Sequence, residues 1–317
     1  MKQKRLFLFL LFVLSVSSLF ARNAHYSSDS YGLAITWTEE VSSGDAVIFS
    51  MSVTEGTKSL SGDTGASSIK LIRDSTGKSP GSSDLFAVCR SPLILYGAIP
   101  LSTYLESGTF SLIVTYTVTD GTKMEFTLPV TVIEKEFFEE VIPLDSRNTA
   151  IKTDSSPERA AQIDKLNAIL DTTDPDAVYL EGPFSLPVSS TRRTAFFGDR
   201  RTYSYTNGKK ETSLHYGIDF GVPEGTEVKS CGKGKVVLAE WRNSTGWSIV
   251  IEHLPGLYSL YYHLSRMFVS EGDIVEEGQK IALSGSTGLA TGPHLHWEVR
   301  LYMNAINPDQ LVETPPF

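Results

Sequence analysis

Cysteine is scarce in this chain. Cys89 and Cys231 are the only two in 317 residues, far apart in sequence and not spaced as metal ligands. So few thiols exclude a disulfide scaffold, and two separate buried thiols are expected. A basic excess is lacking as well. The net charge is −9, and from Leu180 onward 13 Lys and Arg face 15 Asp and Glu, so most of the acid lies in the preceding part. Neither half carries the positive footprint of a nucleic-acid binder, and that class is set aside. Phosphate-binding loops are missing too. "SGSTGLATGP" has no Gly-Lys-Ser/Thr ending, and "CGKGKVV" lacks the third glycine and following helix of a dinucleotide loop.

A membrane span is not expected in the mature protein. The long apolar run, Leu6 to Ala21, follows Lys2, Lys4 and Arg5 and ends in small residues. It falls short of the roughly 20 residues that a span needs. Residues 1–21 therefore read as a secretory signal cleaved after Ala21. No cysteine follows to take a lipid. The mature chain is expected outside the cytoplasm: periplasmic, envelope-associated or extracellular.

The fold class expected is mainly β, in three parts. Residues 22–133 carry short alternating strands, clearest in "FSLIVTYTVTDGTKMEFTLPVTV". There Leu112, Val114, Tyr116 and Val118 alternate with polar residues, Asp120-Gly121 supplies a hairpin turn, and Met124 to Val132 alternate on the return. Pro129 cannot donate to a ladder, so the return strand is expected at an edge or bulge. An Ig-like β-sandwich fits. Residues 134–179 form a connector with one amphipathic helix, capped by Ser156 with Pro157 at its first position. Ile163, Leu166, Ile169 and Leu170 make its apolar face, which is expected to dock one domain on the other. Residues 180–317 form a second, glycine-dense β domain.

That last part holds five of the six histidines. They fall in "HYGID" (His215, with Asp219), around "EHLPGLYSLYYHLS" (His253, His263) and in "PHLHWE" (His294, His296). Residues i and i+2 of a strand share a face, roughly 6–7 Å apart at Cα, so His294 and His296 stand side by side. A catalytic zinc site takes three protein ligands from His and carboxylates and keeps a fourth position open. His215, Asp219 and one member of the His294/His296 pair fit that need. The other member would then act on protons, with His263 a candidate across the cleft. Spacing alone leaves open the bland reading, in which paired histidines on a sheet surface are solvated polar residues. His253 ends a strand before a Pro-Gly turn and reads as structural.

Five ordered stretches carry a resemblance: "SLHYGIDFGVPEGTEV", "GKVVLAE", "YYHLS", "VEEGQKIALSGSTG" and "GPHLHWEV". Together, over about Thr191 to Pro308, they resemble the M23 peptidases, the lysostaphin or LytM-type metalloendopeptidases. The resemblance implies a small antiparallel β structure with an open groove, and one zinc ion held by His215, Asp219 and His296. His263 and His294 would be the two catalytic histidines that do not bind the metal. The substrates implied are peptide bonds in the stem peptides or cross-bridges of bacterial peptidoglycan. Some relatives have lost ligands and act only as activators; all five positions match here. Tyr203, Tyr205 and Gly292, together with Arg201, are candidates to line the substrate groove. Two other readings fit less well. A biotinyl or lipoyl carrier needs a lysine at a tight turn, whereas Lys280 enters a strand. The other zinc D-Ala-D-Ala peptidases space their first His and Asp more widely and lack His-x-His.

Overall fold

The computed structural model describes residues 21–27, 31–56, 65–118 and 120–313. The expected signal therefore lies outside the described residues apart from Ala21. Among the described residues no helix is long and apolar enough to cross a membrane. The chain divides into two compact units, the first ending at Lys135 and the second beginning at Glu136.

Among the described residues the first unit contains ten strands. They are β1 (Ala21–Ser27), β2 (Tyr31–Thr38), β3 (Glu40–Ser42), β4 (Ala46–Gly56) and β5 (Ser68–Arg73), then β6 (Gly81–Asp84), β7 (Phe86–Arg90), β8 (Leu93–Pro100), β9 (Gly108–Thr117) and β10 (Lys123–Ile133). They form two five-stranded sheets, ordered β1-β2-β4-β8-β7 and β3-β10-β9-β5-β6. One buried cluster draws Leu33, Ile35 and Trp37 from the first sheet and Leu112, Val114 and Val130 from the second, which makes the unit a sandwich. The expected hairpin is present, with Leu128 opposite Leu112 and Phe126 opposite Val114. Pro129 costs no ladder bond on the outer side, because β3 covers β10 only from Thr131 to Ile133. Its carbonyl accepts from the Trp37 indole at 2.9 Å.

The second unit holds β11 (Glu139–Pro143), α1 (Ser146–Lys152), α2 (Pro157–Leu170), β12 (Arg193–Ala195), β13 (Arg200–Ser204), β14 (Lys210–Leu214) and β15 (Gly217–Phe220). There follow β16 (Glu227–Lys229), β17 (Gly234–Arg242), β18 (Gly246–Leu254), β19 (Leu257–Met267), β20 (Ile274–Val275), β21 (Lys280–Ser284), β22 (Leu295–Leu301), β23 (Asn304–Ile306) and α3 (Pro308–Glu313). The main sheet runs β12-β15-β22-β19-β18-β17-β20, with β16, β21 and β23 attached, and a small sheet runs β11-β13-β14.

Helix α2 starts as expected: the Ser156 hydroxyl accepts from the Arg159 N–H, with Pro157 in the first turn. Leu166 and Leu170 are buried with Leu238, Val250, Leu260 and Tyr262 of the main sheet, so the helix packs on the sheet of its own unit. Ile163 departs from the expected apolar face and is 40% exposed. Both cysteines are free thiols; Cys231 is buried, but Cys89 is only half-buried rather than in a core.

His253 is fully buried on β18. Its Nδ1 lies 2.8 Å from the Lys233 carbonyl and its Nε2 2.7 Å from Ser259 Oγ. Burial pushes its pKa down from 6.5 to about 4, against the pull of the Lys233 carbonyl. The unfolded chain therefore takes up this proton first as pH falls, so the imidazole's contribution is intact above 6.5 and is lost on the way down to about 4. His253→Gln is expected to destabilise the unit by about 1–3 kcal/mol at neutral pH. Denaturant titrations at successive pH values should show the gap to wild type narrowing as pH falls through that window.

Candidate metal centre

Three strands of the main sheet bring the centre together. Asp219 of β15 stands directly opposite His296 of β22. On the other side of β22, His296 stands opposite Tyr262 of β19. The three side chains form a row across one face, and the Tyr262 ring lies parallel to the His296 imidazole, 5.6 Å between centroids and 2° between planes. His215 lies two residues before the start of β15. Its N–H donates to the Asp199 carbonyl, while the Asp199 carboxylate accepts from the Phe196 N–H. That local loop aims the Phe196 carbonyl at the His215 ring.

The hydrogen-bond partners fix each ring. His215 Nδ1 is 2.8 Å from the Phe196 carbonyl, an acceptor, so Nδ1 carries the proton and Nε2 a lone pair. His296 Nε2 is 2.9 Å from the Glu298 carboxylate, so its Nδ1 is the lone-pair nitrogen. These two bare nitrogens face each other at 3.0 Å. Asp219 Oδ1 joins them, 3.1 Å from His215 Nε2 and 2.7 Å from His296 Nδ1. All three residues are buried, with ligand atoms within 4.8 Å of one another. Three acceptors converging on one buried point repel unless a positive charge sits among them. Two imidazole nitrogens and a carboxylate oxygen are also the donor set of a mononuclear zinc site. The residues present fit such an ion.

The charges follow the same pattern. Burial raises the Asp219 carboxyl, but His215 and His296 outweigh it and hold the group well below its usual range. Burial lowers His296, yet Asp219 and Glu298 lift it to about 9. A proton there takes the place that a cation would fill. Burial pushes His215 down, with Asp219 opposing. Glu298 is itself held at about 2 despite burial, because Arg300 and His296 stabilise its charge.

Two more imidazoles flank the centre. His294, just before β22, has Nδ1 2.8 Å from the Gly292 carbonyl and Nε2 3.7 Å from Asp219 Oδ1. His263 has Nδ1 2.7 Å from the Thr287 carbonyl, and its ring centroid is 4.7 Å from that of His294. It lies in β19 with a left-handed φ of 61°, at a register shift between the β18 partners Trp247 and Ile249. The bulge lets neighbours Tyr262 and His263 both face the groove, which regular alternation forbids. Gly246 and Gly288, with φ of 67° and 69°, let two turns touch. A Cβ at Gly288 would lie 2.4 Å from the Gly246 nitrogen. This contact carries the Thr287 carbonyl to His263.

The centre opens into a groove of about 300 Å³. Its walls include Tyr203, Arg201, Tyr216 and Leu289, and also Ile142 of β11, Leu144 after it and Lys152 at the end of α1. Tyr203 lines it as expected. Tyr205 does not: it is buried, and its hydroxyl donates to Glu211 at 2.6 Å. Gly292 acts through its carbonyl on His294, and a Cβ there meets nothing within 4 Å. Sequence reasoning passed over Glu298, although its i+2 spacing from His296 in "HWE" puts it on the same face. The backbone carbonyls of Phe196, Thr287 and Gly292 leave no mark in a side-chain pattern.

Two imidazoles and a carboxylate converge on one point, with two further imidazoles alongside, and could hold a single metal ion. The sequence model of peptidase family M23 matches residues 213–308, and this part of the chain is a peptidase M23 domain. Over 134 residues the chain is 39% identical to an uncharacterized metalloprotease of Buchnera aphidicola, covering 42% of this chain and 34% of that protein. It is 41% identical over 115 residues to the peptidoglycan DD-endopeptidase ShyB of Vibrio cholerae, covering 36% and 26% respectively. It is also 44% identical over 92 residues to the murein hydrolase activator EnvC of Escherichia coli, covering 29% and 22%. The chain thus spans about a third or less of the length of these curated relatives.

Carboxylates that hold the outer nitrogen of a ligand histidine typically contribute 10–100-fold to metal affinity. Glu298→Gln is therefore expected to weaken divalent-cation binding about 10-fold or more. Competition against a chelator of known affinity measures this, with the unfolding midpoint as the control for folding.

Proposed function

We propose that the chain is an exported zinc metalloendopeptidase that hydrolyses peptide bonds of bacterial peptidoglycan, in stem peptides or cross-bridges. The observation that carries this reading is the convergence of His215 Nε2, Asp219 Oδ1 and His296 Nδ1 on one buried point. The basic and then apolar start of the chain supports export, and the names of the relatives support the substrate class. The chemistry lies in the second unit, within the domain expected at residues 180–317.

His215, Asp219 and His296 would hold one zinc ion. Zinc in that site supplies Lewis-acid polarisation of the scissile carbonyl and acidifies the attacking water. The flanking histidines move the protons. Each has its Nδ1–H held by a backbone carbonyl, so each keeps a bare Nε2. His294 Nε2, nearest the centre, takes the proton from water. Burial and the neighbouring imidazoles push His263 down to about 3, so it enters the cycle as a neutral base. A proton gained at either Nε2 is then available to the leaving amine or to the developing oxyanion. The open groove admits an extended peptide past this row, and Tyr203 and Tyr216 offer it aromatic walls.

The second reading, an activator that cuts nothing, draws on the relative named as a murein hydrolase activator. The complete set of five side chains favours the enzyme. Purified, zinc-loaded chain incubated with isolated wall sacculi should release muropeptides, and mass spectrometry should find each cut adding the mass of one water. Absence of release by zinc-loaded protein would reverse the preference. His296→Ala should lose both zinc and turnover. His294→Ala should keep stoichiometric zinc and lose about 10²–10⁴-fold in rate.

A further inference from the structure

Asp219 divides its two carboxylate oxygens. Oδ1 faces the ring nitrogens, while Oδ2 accepts from Arg201 Nη2 at 2.8 Å. The same guanidinium gives its Nε–H to Glu140 Oε1 at 2.7 Å. The backbone sets this chain of contacts. β11 runs parallel beside β13, and Glu140 stands opposite Arg201 in their register. The Arg201 and Asp219 side chains are 13% and 9% exposed, whereas Glu140 is 39% exposed at the outer end. Both Glu140 and Arg201 lie upstream of the matched stretch 213–308.

We infer that Glu140 and Arg201 are positioning residues for the metal centre, so that the segment preceding the M23 domain completes it. The inference rests on the zinc reading above. A carboxylate with both oxygens free can turn about its Cβ–Cγ bond and present either oxygen, or both, to a cation. Anchoring Oδ2 fixes the plane and leaves Oδ1 alone to face the histidines. A planar guanidinium suits the task because separate nitrogens reach the two carboxylates in fixed directions. Arg201 alone would set a positive charge close to a cation and oppose its binding. Glu140 cancels that charge, so the pair contributes direction with little net field. Losing Glu140 both loosens Arg201 and leaves its charge uncompensated.

The test uses the full mature chain and its Glu140→Gln, Arg201→Met and double variants. Zinc affinity is measured by chelator competition, and the coordination geometry by the visible absorption of the cobalt(II)-substituted protein. Glu140→Gln should bind zinc about tenfold more weakly and alter the cobalt bands. It should leave the thermal midpoint unchanged, since the site is an exposed strand edge. In the Arg201→Met background the same substitution should add nothing, because Glu140 acts through Arg201. The inference is overturned if Glu140→Gln matches wild type in affinity and spectrum, or if its effect is equally large in both backgrounds. Wild-type protein that takes up no cobalt or zinc would instead sink the hydrolase reading, and this inference with it.

Discussion

Three lone-pair-bearing atoms held at one buried point are the constraint around which the second unit is built. They repel unless a proton or a cation sits among them, and burial removes the water that would relieve them. Every surrounding contact keeps them there regardless. Phe196 and Glu298 take the outer protons of His215 and His296, Arg201 takes the spare oxygen of Asp219, and Tyr262 lies flat against the His296 ring. Held in this way, the three atoms form a receptor for positive charge, whether a proton or a cation.

The support reaches well beyond the residues that touch the point. Tyr262 belongs to the same apolar cluster as Leu166 and Leu170 of α2, so a helix from the connecting segment backs one side of the His296 ring. Helix α1 holds the loop on the other side, with the Asn148 amide donating to the Ala290 carbonyl and Arg147 to that of Gly288. That loop carries the Thr287 carbonyl that fixes His263. The segment expected to be a connector that docks one domain on the other therefore packs against the surroundings of the candidate site in its own unit.

What could be read from the chain follows from how local each cause is. The His294/His296 pair and the hairpin between Leu112 and Val132 were legible because alternation along a strand depends only on neighbours. Ser156 and Pro157 announced α2 for the same reason. The position of His263 was not legible, since it depends on a bulge whose left-handed residue is not glycine. Tyr205 misled because the strand that would keep it on the same face as Tyr203 ends at Ser204, and the ring turns to Glu211 instead. Ile163 misled because a helical face is only as wide as the sheet beneath it. Glu140 had no local signature at all; only a parallel strand pairing across some sixty residues of sequence brings it to Arg201.

That pairing also bears on how much of the chain surrounds the candidate site. A fragment cut to the stretch that similarity recognises would start at Ser213, inside β14. It would keep every ligand yet leave behind Arg201, Tyr203 and the whole β11–α1 flank, and with them one bank of the cleft. Similarity thus delimits residues 213–308, whereas the groove around the candidate site also draws on residues from β11 onward. A change confined to this flank would therefore reshape the cleft of this chain while leaving residues 213–308 as they are.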